Sequence, residues 1–314
     1  EYGGAVRIIN FVHSFYKYLP PEKYFEAHPD WYSEIDGKRK HEHAQLCLTN
    51  EEMTRELIKN VLETLRNSPG AKIIDVSQND WYGFCTCEKC KAIDEAEESH
   101  AGTLVSMLNK VAEAVEKEFP DVLVESLAYQ YTRKPPKTIK PRDNVLIRLC
   151  TIECSYIQPL DGEQNRKFAA DIEGWSKLAK YLFIWDYTTN YNDYLGPHPN
   201  LRVLVPNVRY FVEHGAIGLF EEGEGDDFCE LKNWLLLRVM WEPHLDAEKL
   251  IDEFVRGYYG ESVAPLIHQY WDVLIAQAER TKIYLGCFGV NSAKWIDLAT
   301  LNQVTEIMNK AVET

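Results

Sequence analysis

The stretch Leu182-Phe183-Ile184-Trp185-Asp186, then Val203 to His214, Gly215, and Ala216 to Glu222, decides the fold. A short apolar run, a segment with helical spacing and a second short run spell strand, helix, strand. Gly215 stops the helix, since glycine takes the left-handed conformation at a helix end without a Cβ penalty. The same alternation recurs on the N-terminal side. Strand-like runs cover Val6 to His13, Lys72 to Gln78, Val122 to Tyr129 and Val145 to Glu153. Helical stripes lie between them: Met53, Leu57, Val61 and Leu65, then Leu104, Leu108, Val111 and Val115, then Phe168, Ile172 and Trp175. Asn50 is placed to cap the first stripe, with Glu51 and Glu52 at its positive end.

Alternating apolar strands and helices predict an α/β fold with a parallel sheet covered by helices. A doubly wound nucleotide fold would carry a glycine-rich turn after its first strand, and none of the runs has one. The runs end instead in polar or aromatic residues: His13; Gln78, Asn79 and Asp80; Tyr129; Glu153; Asp186; Glu221. Functional groups at many strand ends predict a (β/α)8 TIM-type barrel, whose site is built there. Six strands are two short of eight. The expectation is a barrel that lacks its first strands in this chain; the alternative is that two strands escape the pattern. Beyond Glu222 the pattern is helical, over Leu231 to Met240, Ala247 to Arg256 with Asp246 as cap, Val263 to Arg280, and Ala293 to Val312. Residues 1–245 are therefore read as the barrel and 246–314 as a C-terminal helical extension. Two long connections, Phe15 to Leu48 and Tyr187 to Asn200, read as structureless functional loops.

Composition narrows the function. With 45% hydrophobic and 26% charged residues over 314 positions, the chain can bury a large core. No window holds 18 consecutive apolar residues, so no membrane span is expected. The formal net charge is −15 and no basic stripe interrupts it, which excludes a phosphate-backbone binder. The chain opens on Glu1 rather than Met and ends inside a helical pattern at Thr314, so the lack of a targeting segment carries no weight.

Glu153 and Glu221 are the candidate catalytic residues. Each sits at a predicted strand end, and glycoside hydrolysis needs two carboxyls flanking one bond, one protonated and one ionised. Glu222 and Glu224 compete with Glu221, because parity alone does not say which glutamate points inward. Trp185, Asp186 and Tyr187, with His13, Asn79, Asp80 and Tyr129, are the candidate sugar contacts. Rings stack on the apolar faces of sugars while Asp and Asn bond their hydroxyls. Cys85, Cys87 and Cys90 place three thiols within six residues, and Cys47 offers a fourth. They read as a closed structural zinc site, as disulfides, or as free thiols, with no catalytic part in any case. His41 and His43 lie near Cys47 in sequence but read as solvated. No cofactor is required for the chemistry so described.

Several segments together resemble a known family. They are His13-Ser14-Phe15 with Leu19-Pro20-Pro21-Glu22-Lys23-Tyr24-Phe25, and His28-Pro29-Asp30-Trp31-Tyr32. Gln45 to Asn50, Ser77-Gln78-Asn79-Asp80 with the cysteine trio, and Phe220-Glu221 followed by Trp241-Glu242-Pro243 complete the set. In this order they resemble glycoside hydrolase family 163, from about residue 8 to 275. The resemblance implies a (β/α)8 barrel, endo-β-N-acetylglucosaminidase activity on complex-type N-glycans, and export to the periplasm or cell surface. It implies Glu153 as acid/base and Glu221 as nucleophile or its electrostatic equivalent, and it matches Asn79 and Asp80 to a polar stretch of the pocket. Glu222 departs from the family pattern, which has an uncharged residue there.

Overall fold

A computed structural model of the chain describes residues 6–223, 225, 227–289 and 292–314. The chain gathers into two compact units. The first holds the described residues up to Cys150 together with Asp171–Phe183; the second holds Thr151–Ala170 and Ile184–Thr314. This division falls inside the strand–helix alternation rather than after residue 245.

In the first unit the strands β1 (Ile8–Ile9), β4 (Ile73–Asp75), β5 (Leu123–Ala128) and β6 (Val145–Cys150) lie side by side in that order, all parallel. A separate antiparallel hairpin pairs β2 (Glu34–Ile35) with β3 (Lys38–Arg39). Helices α1 (Phe15–Tyr18) and α2 (Pro21–Tyr24) precede this hairpin, and α3 (Glu51–Arg66), α4 (Glu88–Ala96) and α5 (Ala101–Glu118) follow it. The connection from Phe15 to Leu48 is therefore built of short elements, against expectation. Buried Phe15, Tyr18, Trp31 and Tyr32 explain why a polar-looking stretch folds. Met53, Leu57, Val61 and Leu65 of α3 are buried, as are Leu104, Leu108, Val111 and Val115 of α5. Helix α5 covers β5 and β6 and packs against α3.

A charged group is embedded in this sheet. Asp75 and Glu125 are register partners on β4 and β5, and both are fully buried. Arg148 on β6 donates from Nε to the Glu125 carboxylate, and its guanidinium lies 5.1 Å from the Phe11 ring centroid and 5.0 Å from that of Phe183. Burial, and then the charge on Glu125, pushes the Asp75 carboxyl up to about 8. A neutral Asp75 beside a Glu125–Arg148 ion pair leaves no net charge in the layer.

Helix α6 (Arg166–Leu178) and strand β7 (Tyr181–Tyr187) each begin in one unit and end in the other. The second unit continues with α7 (Leu201–Glu213), β8 (Ala216–Glu222), α8 (Cys229–Trp241), α9 (Ala247–Tyr259), α10 (Ala264–Thr281) and α11 (Leu298–Glu313). Its core joins Leu204 and Val208 of α7 to Leu235 and Val239 of α8, Ile251 and Val255 of α9, and Ile267 and Trp271 of α10. Strand β8 runs over the residues the sequence predicts, and Gly215 holds φ +79° at the end of α7.

The fold is thus α/β with a parallel sheet. An eight-stranded closed barrel is not formed among the described residues: the sheet has six strands, β5 passes to β6 without an α-helix between them, β1 borders only β4, and β8 borders only β7. No helix is long and apolar enough to cross a membrane among the described residues.

Candidate active site

In the second unit, the residues after β6 and the ends of β7 and β8 build the site. Strand β6 stops at Cys150, not at Glu153 as the sequence predicts. The Cys154 N–H turns back to the Thr151 carbonyl at 2.7 Å, and Glu153 rides on that turn, half-buried. The Thr151 N–H bonds the Trp185 carbonyl at 3.0 Å, which ties the turn to β7. A late segment also closes on it. The Tyr284 hydroxyl donates to the Glu153 carbonyl, and the Cys287 thiol lies 3.5 Å from the Ile152 carbonyl.

Glu221 and Glu222 point to opposite faces of β8, as successive strand residues must. Glu222 accepts the Trp185 Nε1–H at 2.6 Å. Glu221 has the parity of Leu219, which packs against the helical core. Both of its carboxyl oxygens are buried with no hydrogen-bond donor beside them, and Asp186 is the charged neighbour. Burial, and then the Asp186 charge, holds the Glu221 carboxyl well above the usual carboxylate range. Burial raises Asp186 to about 6, opposed by hydrogen bonds from the Thr151 hydroxyl and the Tyr187 N–H. Two carboxyls in one dry space cannot both ionise, so the proton resides on Glu221. The sequence-based placement of Glu221 beside the aromatic rings is corrected accordingly, and so is Asp186 as a sugar contact, since only 2% of it is exposed.

The Glu222 face carries a row of rings. Phe220 meets Trp185 edge-on with centroids 4.7 Å apart, Trp185 stacks on Tyr187 at 6.1 Å, and Tyr187 meets Tyr191 at 6.4 Å. Phe288 and Tyr194 flank Tyr191 at 5.3 and 6.1 Å. Burial, then the neighbouring Glu222 carboxylate, pushes the Tyr191 phenol far up. The Cys287 thiol is pushed up to about 12 by burial and by the surrounding charges of Glu222, Glu153 and Asp186. Glu153 and Glu222 thus both contribute to the negative charge around this thiol. Tyr284, Cys287 and Phe288 are site residues that sequence reasoning misses, because they sit between helices with no strand pattern to mark them. Glu224 lies outside the described residues.

The first unit gathers the remaining candidates at the ends of β1, β4 and β5. The His13 Nδ1 lies 2.8 Å from the Gln78 carbonyl, its ring faces Tyr129 at 6.0 Å, and the Tyr129 hydroxyl donates to Asp80 at 3.0 Å. Asp80, Trp81 and Tyr82 are exposed there. Asn79 is different. Its side chain accepts from the Tyr16 N–H and donates to the Ala44 carbonyl, and it is buried. It is a latch between loops, which corrects its reading as a substrate contact.

The four cysteines meet in the same unit. Their sulfurs all lie within 4.8 Å of one another, and all four residues are buried. Cys47 is 3.7 Å from Cys87 and 3.9 Å from Cys90, far beyond the roughly 2.05 Å of a disulfide, and none is bridged. His41 and His43 are not among them; their rings pack on Phe25 and Trp81.

The chain belongs to the family described as a domain of unknown function, DUF4838, whose profile matches residues 1–272. No protein of curated function matches it. Among solved structures it is similar to CpGH89 of Clostridium perfringens, seen with its substrate GlcNAc-alpha-1,4-galactose, at 11% identity and a TM-score of 0.45. That match covers 78% of this chain and 24% of the other. It is also similar to the GH36 alpha-galactosidase AgaA of Geobacillus stearothermophilus in complex with raffinose, at 11% identity and a TM-score of 0.36. That match covers 73% of this chain and 29% of the other. The chain thus spans about a quarter of the length of these structures, and likeness at this level assigns it no activity.

Proposed function

We propose that this protein is a glycoside hydrolase in which Glu153 and Glu222 are the working carboxylates. The observation that carries the reading is the position of Glu222. It is bonded to Trp185 in the row of rings and, with Glu153, contributes to the negative charge around Cys287, whereas the Glu221 carboxyl oxygens are buried without a hydrogen-bond donor. Stacked rings beside two carboxyls suit a sugar: the rings cover its apolar face and the acids flank the glycosidic oxygen. Glu153, on a turn, delivers the proton to the leaving group. Glu222, oriented by the Trp185 N–H, stabilises the positive charge that develops at the anomeric carbon, as nucleophile or by orienting a neighbouring acetamido group. Two carboxyls and water complete the reaction, so no cofactor takes part.

The resemblance to glycoside hydrolase family 163, which pairs Glu153 with Glu221 rather than Glu222, supplies the finer reading of the substrate alone: a β-linked N-acetylglucosamine within a complex-type N-glycan, cleaved internally by an exported protein. The test is incubation of the full-length protein with a complex-type N-glycoprotein and weighing of released glycans by mass spectrometry. Glu153→Gln and Glu222→Gln should each lower turnover by about 10²–10⁴, while Glu221→Gln retains most of it. If wild type binds the glycan but releases nothing, the protein is a carbohydrate-binding domain without turnover. If Glu221→Gln alone is inactive, the assignment of Glu222 fails.

A further inference from the structure

The geometry points to a structural zinc ion held by Cys47, Cys85, Cys87 and Cys90, which pins the loops at one end of the first unit. A tetrahedral ion with Zn–S bonds of about 2.3 Å has S–S edges of about 3.8 Å. The Cys47–Cys87 and Cys47–Cys90 sulfur separations of 3.7 and 3.9 Å fit those edges, and all four sulfurs lie within 4.8 Å of one another.

The surroundings suit thiolates. The Glu34 N–H lies 3.3 Å from the Cys85 sulfur, the Thr49 hydroxyl 3.2 Å from Cys90, and an Arg39 guanidinium nitrogen 3.7 Å from Cys85. Such donors spread the excess negative charge of a four-thiolate site and orient the ligands. Cys87 occupies the N-cap position of α4, without a side-chain capping bond, and Cys90 lies in its first turn, where the helix dipole favours anions. All four thiols are supplied as ligands, so no coordination position stays open for catalysis. On binding, the thiol protons pass to solvent.

The ligands come from segments far apart in the chain. Cys47 ends the connection that contains the β2–β3 hairpin, and its carbonyl accepts from the Asn50 N–H at the start of α3. The other three follow β4. Gln45, two residues before Cys47, bonds both the Asn79 N–H and the Asn79 carbonyl, at 2.8 and 2.9 Å, and also the Trp81 carbonyl. One ion thus fastens the segment that positions Asp80, Trp81 and Tyr82. A fold of this size does not need a metal to exist, so the ion's effect is local order there.

The experiment is elemental analysis of the whole protein, purified under reducing conditions with zinc supplied. One zinc per chain is expected, released by a mercurial that titrates four thiols together. Cobalt in its place should give the intense visible bands of tetrahedral thiolate coordination. Cys90→Ser should lose the ion while Cys229→Ser, outside the cluster, keeps it. Should Cys90→Ser not fold, hydrogen exchange on wild type stripped of metal replaces it, with faster exchange expected at 29–48 and 79–90 and little change in α5. Protein without stoichiometric metal, or with a disulfide among these four residues by mass spectrometry, overturns the proposal. Uniform exchange across the chain after stripping overturns the pinning role.

Discussion

Arg148 is among the largest fully buried side chains, and its partners are a carboxylate and two rings. Replacing it by Leu would strand Glu125 in a dry interior. The expected loss is about 3–5 kcal/mol of unfolding free energy in urea titration. Arg148→Leu combined with Glu125→Leu should recover much of it, because the penalty belongs to the unpaired charge. Glu221 makes a pH-dependent prediction. Its folded pKa is raised above the ordinary 4.5, so the folded state keeps a proton that the unfolded state gives up. Above about 4.5 the unfolded chain binds fewer protons, and stability falls as pH rises. Glu221→Gln, neutral at every pH, should flatten that decline, and its Tm relative to wild type should climb between pH 5 and 8. A Tm difference constant over that range would mean the carboxyl is already ionised in the fold. The sequence offers candidate acids here but does not rank them. Glu221 and Glu222 are adjacent and equally plausible by composition; only the Trp185 ring on the neighbouring strand and the helical core beneath Leu219 separate them.

At the level of elements, local signals that complete themselves within a few residues read true. Asn50 accepts from the Glu52 and Met53 N–H groups at 3.0 Å each, as its position before an amphipathic run predicts. Asn50→Ala should cost about 1 kcal/mol in urea titration. Strand β8 starts directly after Gly215, which holds φ +79°, and that boundary is legible in the sequence. Strand β6 has no such boundary. Its strand-favouring residues continue through the β-branched Thr151 and Ile152, and the turn that ends it depends on bonds to β7 and to Tyr284. Helix α4 goes unseen because it is short and lies under the cysteines, whose meaning is set by a partner about 40 positions away. Gly83 makes the encounter possible: a Cβ there would overlap the His43 carbonyl. Gly83→Ala should therefore destabilise by about 1–3 kcal/mol, with the added thermal lability centred on the 43–47 and 79–90 segments in hydrogen exchange.

For the whole molecule, the α/β class follows from periodicity, which survives any detail of packing. Closure of a sheet does not, since it depends on how many strands meet and in what register. The chain passes from one compact unit to the other after Cys150, returns after Ala170 and passes again after Phe183. Neither unit is therefore one uninterrupted length of polypeptide. A gene truncated at codon 150 would omit the 171–183 portion of its own product, and a gene begun at 184 would omit 151–170. Recombinant dissection at a single cut should yield insoluble halves, whereas co-expressing overlapping pieces, or rejoining the termini elsewhere by permutation, preserves every segment that each half must recruit.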